Sequence, residues 1–159
     1  MRTRIVTILV VLAAATAAHV QASPGPQVRQ YAAKFVCGKA PEQLNFAPGN
    51  YFTTINVHYP ALTGAMKFQK KFALAEINEQ PGKVSQWFGF ALNADQAMQI
   101  DCRNIYAHLG IAPGTFIDGF AVIQMPVNVE LDVVGVYTAA GNAGVSTMHM
   151  ERVAGRLTQ

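Results

Sequence analysis

Short runs of alternating apolar and polar residues, separated by turn signals at fairly even spacing, fill most of this chain. That pattern predicts an all-β protein. The clearest run is 51–58, where Tyr51, Thr53, Ile55 and Val57 fall on one face and Phe52, Thr54, Asn56 and His58 on the other. Tyr59-Pro60 ends it. Residues 65–75 repeat the theme, with Met66, Phe68, Phe72 and Leu74 opposed to Lys67, Gln69 and Lys71, as in an antiparallel strand with one solvated face. Further strands are predicted over 30–37 (closed by Gly38), 84–92 (holding Trp87), 98–102, 115–125, 131–138 and 145–153. The connections are a polar loop over 38–49, the turn pair Pro81-Gly82 and loops over 124–129 and 139–144, the last of which makes the final two strands a hairpin. Asn93-Ala94-Asp95 begins a short turn, and 103–109 predicts one or two helical turns stopped by Gly110. The expected fold is an antiparallel β-sandwich of about eight strands with one or two short helical turns.

A different pattern opens the chain. Arg2 and Arg4 precede an apolar run from Ile5 to Ala15, interrupted by Thr7, and small residues follow as far as Ala22-Ser23. This is the layout of a cleaved export signal. Val20-Gln21-Ala22 offers one cut before Ser23 and Thr16-Ala17-Ala18 an earlier one. The apolar stretch falls short of the roughly 20 residues a transmembrane helix needs, so no integral anchor is expected in the mature form, and no cysteine near the cut suggests a lipid. The expected organisation is a signal peptide over 1–22, a flexible N-terminus over 23–29 and one β-sandwich domain over 30–155. The destination is the periplasm or the extracellular space.

Composition changes the picture in one respect. The formal net charge is +3, but two of the twelve basic residues, Arg2 and Arg4, belong to the leader, which leaves ten against nine acidic and a mature net of +1. With no basic-aromatic stripe either, nucleic acid is not an expected partner. Cys37 and Cys102 both lie in the mature part, and in an exported protein that even count suggests a structural disulfide. Two buried free thiols or a redox pair are the competing readings, although CxxC spacing is absent. Both cysteines have strand-like flanks, so the bridge is expected to join an early strand to a middle one.

Catalytic chemistry finds little support. His58, His108 and His149 show no HxH or HxxxH spacing, and a metal would require them to converge with Asp101, Asp132 or Glu151 from separate strands. Gly-x-Ser-x-Gly is absent, only Ser23, Ser85 and Ser146 are available as serine nucleophiles, and nine acidic residues always offer some glycosidase-like pair. No cofactor is expected. Tyr51, Phe52, Tyr59, Trp87, Phe88, Phe90, Phe116 and Phe120 either fill a core between two sheets or form a sugar or peptide site. The ligand-binding candidates are His58, Tyr59 and Trp87. The first two stand where a strand meets a loop, and loops carry function more often than strands.

Three stretches, 51–60 (YFTTINVHYP), 100–102 (IDC) and 131–138 (LDVVGVYT), resemble a family of small exported bacterial β-sandwich proteins, over roughly Tyr31 to Val153. The strand and turn at 51–60 are also similar to those of sensory rhodopsin transducer-type β-sandwiches, which assemble as oligomers. Neither likeness brings an active site to carry over. They imply a β-sandwich and a homo-oligomer. The resulting expectation is an exported, non-catalytic binding or assembly module for a protein or a small ligand, held near residues 58–63 and 112–115. The alternatives are a small exported enzyme, with or without a metal, acting on a polysaccharide or peptide, and a structural subunit of a surface assembly.

Overall fold

The structure is a computed structural model, and it describes residues 25–42, 46–76, 79–141 and 146–159. The leader lies outside these residues. Among the described residues ten strands and one helix follow in the order β1 (Val28–Ala40), β2 (Gly49–His58), β3 (Ala65–Ala75), β4 (Pro81–Val84), β5 (Phe88–Asn93), β6 (Ala97–Asp101), α1 (Cys102–Leu109), β7 (Ile117–Pro126), β8 (Asp132–Gly141), β9 (Ser146–Arg152) and β10 (Arg156–Thr158). Every strand pair is antiparallel, which bears out the all-β expectation. Among the described residues no helix is long and apolar enough to cross a membrane.

The network is continuous, in the order β4-β3-β7-β1-β2-β8-β9, with β5 on β3, β6 on β2 and β10 on β1. β1 is shared between two groups of strands. Residues 28–37 pair with β7, and Gly38, Lys39 and Ala40 pair with β2. The change of partner happens at Gly38, whose φ of +91° is a region other residues enter only with strain. A Cβ there would also stand 2.3 Å from the Thr115 carbonyl oxygen. Gly38 was expected to close the first strand, and instead it redirects a strand that continues. Where the two groups separate, Thr53 fills the gap: its hydroxyl accepts from Val36 N–H and donates to Val36 C=O, both at 2.9 Å. Thr53 thus supplies both half-buried Val36 backbone groups with a partner where β1 has no neighbouring strand on that side, which explains a threonine only 2% exposed.

Alternation places the core as the sequence pattern implies. Ala33, Phe35 and Cys37 on β1, Ile55 and Val57 on β2, Met66, Phe68 and Phe72 on β3, and Val133 on β8 all belong to one buried cluster. The large aromatic side chains of that core are Tyr31, Phe35, Phe68, Phe72 and Tyr106. Of the eight aromatics weighed as core or site, Phe52 and Phe120 are exposed and the rest half-buried.

Several boundaries differ from expectation. Pro81-Gly82 opens β4 rather than forming a turn, since proline is tolerated at the start of an edge strand. The strand predicted over 84–92 is interrupted at 85–87, where Ser85 closes onto β3: its N–H donates to Phe72 C=O at 2.8 Å and its hydroxyl accepts from Phe72 N–H at 2.9 Å. β10 lies beyond the last predicted strand and pairs with the start of β1. Of the glycine-bearing loop expected over 139–144, Ala139, Ala140 and Gly141 extend β8 and the rest lies outside the described residues; β8 and β9 do pair as a hairpin over seven residue pairs.

Cys37 and Cys102 are disulfide-bonded, with Cα atoms 5.7 Å apart. Cys102 is the first residue of α1 rather than part of a strand, so the bridge ties β1 to a helix N-terminus. Asp101 is responsible for that local outcome. Its carboxylate accepts from Asn104 N–H while the Asn104 side chain accepts from Asp101 N–H, a reciprocal cap that starts the helix as β6 ends. Gly110, in the left-handed region, stops it.

Candidate functional site

β2 ends at His58, which pairs with Ala97 of β6 on one side and Asp132 of β8 on the other. That placement brings two carboxylates to opposite edges of one imidazole. Nε2 lies 3.0 Å from Asp95 and Nδ1 3.3 Å from Asp132, whose second oxygen accepts from Arg152 at 2.9 Å. Asp95 sits in the turn between β5 and β6 at a φ of 58°. The neighbouring loops are laced together, with Tyr59 N–H donating to Gln96 C=O and Asp95 N–H to Tyr59 C=O, both at 3.0 Å, and Ala94 N–H to Gly64 C=O at 2.8 Å. The Asp95 and Asp132 carboxylates, in that order, favour the imidazolium and raise the His58 pKa above its usual 6.5, against a smaller opposing effect of burial.

This arrangement holds a proton and links loops; it does not present a free ring nitrogen. Both ring nitrogens are engaged by carboxylates. Because the two carboxylates flank the ring from opposite edges, they do not converge on one cation. Among the described residues no group of three or more His, Cys, Asp or Glu side chains is placed to hold a metal.

The other residues considered for a metal fall elsewhere. Asp101 is the helix cap. Burial pushes its carboxyl up, but the Asn104 N–H and the Arg103 guanidinium together hold it below the usual value. His149 lies on β9 stacked against Tyr137, ring centroids 6.1 Å apart. Glu151, on the same face, adds to burial in raising the Tyr137 pKa. His108 packs between Phe72 and Phe88 at 5.5 and 4.0 Å. Of the ligand-binding candidates, Tyr59 packs half-buried against the core beside His58. Trp87 occupies the break between β4 and β5, under the Lys71 ammonium at 4.5 Å. Thr115, from the second loop region considered, lines a recess of about 580 Å³ with Ile111 and Phe116.

Two features escaped the sequence reading. One is Lys70, only 2% exposed, its ammonium 4.2 Å from the Phe90 ring centre and 5.8 Å from that of Phe72. Burial lowers its pKa to about 8. The signal was present, because Lys70 falls in step with Met66, Phe68, Phe72 and Leu74. The other is a groove of about 870 Å³ across β5, β3, β7 and the entry to β1. Its walls include Pro26, Val28, Phe90, Pro126 and Val127, and Gly89 and Ala91 of β5 leave it open. A Cβ built on Gly89 would meet nothing within 4 Å. Gln69, Gln124 and Lys67 supply polar groups. Lys67 has no acidic partner among the described residues.

No family model matches this chain, and no curated protein matches it. A solved structure from Thermotoga maritima, of its protein 1070, is similar at a TM-score of 0.49 and 9% identity, over 83% of this chain and 96% of that one.

Proposed function

We propose that this chain is an exported, non-catalytic binding module whose groove across β5, β3 and β7 takes a small amphipathic ligand with an anionic end. The observation that carries this reading is the groove itself: mostly apolar walls, a volume of about 870 Å³, and one unpaired cation, Lys67, among a few amide groups. Ligand sites are typically of this size and composition, apolar with a small number of orienting polar groups. The non-catalytic part rests on how the candidate nucleophiles and bases are engaged. The cysteines are bridged, the Ser85 hydroxyl accepts from Phe72 N–H and donates to Gln86 C=O, and His58 has both nitrogens occupied. Export is supported by the leader pattern over residues 1–22 together with the disulfide, which persists in oxidising compartments. A two-layer sandwich is supported by the shared core, in which Phe35 and Phe72 from one strand group join Ile55 and Val57 from the other.

The test uses anilinonaphthalene sulfonate, an apolar anion whose fluorescence rises on burial. One saturable site per chain is expected. Gly89→Leu should abolish it by filling open space without disturbing the fold, and Lys67→Ala should weaken it about tenfold through loss of one charge-assisted contact. Non-saturable binding, or binding indifferent to both substitutions, refutes the assignment.

A further inference from the structure

β9 lies at the end of the strand order and, among the described residues, pairs only with β8. Which of its backbone groups remain free follows from register. Val153 N–H donates to Val133 C=O at 2.8 Å, continuing the alignment in which Arg152 faces Val134 and Glu151 faces Gly135. Antiparallel neighbours alternate between hydrogen-bonded and non-hydrogen-bonded pairs. Thr147, His149 and Glu151 therefore direct their backbone groups at β8, and Met148, Met150 and Arg152 direct theirs outward. Exposed edges are ordinarily guarded by charged side chains, proline or a bulge; β9 has no lysine, proline or register shift, and its charged residues, Glu151 and Arg152, lie at its end, with Arg152 held by Asp132.

The side chains on this edge are apolar as well. Met148 and Met150 are 67% and 62% exposed. Behind Met148 the same face continues through Thr138 to Phe52, itself 54% exposed, and behind Met150 through Val136 to Thr54.

We propose that a second copy of this chain occupies this edge, with the two β9 strands pairing antiparallel about a two-fold axis at Met150. The choice of partner and axis rests on the carboxylate that one register sets against an imidazole of the second copy. Only the outward-directed residues can form the hydrogen-bonded pairs, and pairing at least five residues of each β9 places the axis at Met148, His149 or Met150; at Met148, His149 would face Thr147. At His149, that residue would face its own copy and Glu151 would face Thr147. At Met150, His149 faces Glu151 of the second copy and Glu151 faces its His149, at the non-hydrogen-bonded positions where side chains approach most closely. The Met150 axis thus sets two imidazole–carboxylate pairs across the contact, gathers the methionines of both chains on the other face, and satisfies the free backbone of both edges. A two-fold contact of this kind is closed, so it stops at the dimer.

The experiment is light scattering coupled to size exclusion on the purified full-length protein, where a dimer is expected. Met150→Lys sets two like charges together at the axis and should give a folded monomer, with an unchanged far-ultraviolet spectrum and a melting temperature that no longer rises with protein concentration, because the side chain is exposed in the single chain. Met150→Cys should cross-link to its own copy under oxidation, since hydrogen-bonded pairs stand about 5.5 Å apart at Cα, within disulfide reach. His149→Glu should weaken the dimer at least about tenfold, and adding Glu151→His should restore it. A strictly monomeric protein, a dimer indifferent to Met150→Lys, or preferential cross-linking through His149→Cys overturns the proposal. None of these outcomes depends on whether the groove binds a ligand.

Discussion

His58 shows how one side chain makes the loop end of the molecule sensitive to pH. Its folded-state pKa is raised by Asp95 and Asp132, so the folded chain holds this proton more tightly than the unfolded chain does. The stabilisation is fully present below the unfolded value of 6.5, provided the carboxylates stay ionised, and is lost as pH rises through the raised folded value. The melting temperature of wild type minus that of His58→Asn should therefore be largest near about pH 5.5 and shrink on raising the pH. An NMR titration of the imidazole should give a pKa above 6.5; a value at or below that, or a pH-independent difference, contradicts the clasp. From the sequence, His58 stood out because its strand ends at Tyr59-Pro60, and Asp132 was named as one of several acids. Their contact, and that of Asp95, depends on β2 lying between β6 and β8, which no local pattern encodes. Lys70 is the converse case: its position on the apolar face was legible, but a charged side chain among core residues reads as an interruption of the pattern until the aromatic rings above it are seen.

Elements whose cause is local were read closely. β3 spans the residues its alternation predicts, and α1 ends at Leu109, stopped by Gly110 as expected. Elements set by their partners were not. β1 runs through Gly38 because a second strand is waiting for it, and β4 starts at a proline because it lies at an edge. Cys102 looked extended from its flanks, yet Asp101 and Asn104 supplied a capping pair that turns the chain into α1 at that residue. Asp101→Ala should accordingly lower the unfolding free energy by about 1 kcal/mol in urea titrations, and Asp101→Ser should recover most of it. Equal losses for both substitutions would show that the cap is not what Asp101 contributes. The disulfide remains in either variant and both lose the Arg103 ion pair, so the difference between them reports on the cap.

At the level of the whole molecule, β1 decides whether the two strand groups behave as one body. Residues 28–37 belong to the β7 side and Gly38, Lys39 and Ala40 to the β2 side, while Thr53 and the Cys37–Cys102 bridge fasten the region between them. Their core residues form one cluster, so neither group can lose its packing without exposing the other's apolar face. Gly38→Ala attacks the junction in two ways at once, by forcing a side chain to adopt a φ of +91° and by driving a Cβ to 2.3 Å from a backbone oxygen that is not free to move. The expected cost is at least about 2 kcal/mol. Because the junction is shared, the damage should lower the midpoint of a single transition, with far-ultraviolet dichroism and Trp87 fluorescence still coinciding. Two separated transitions, one for each strand group, would mean that the groups fold independently and that β1 merely connects them.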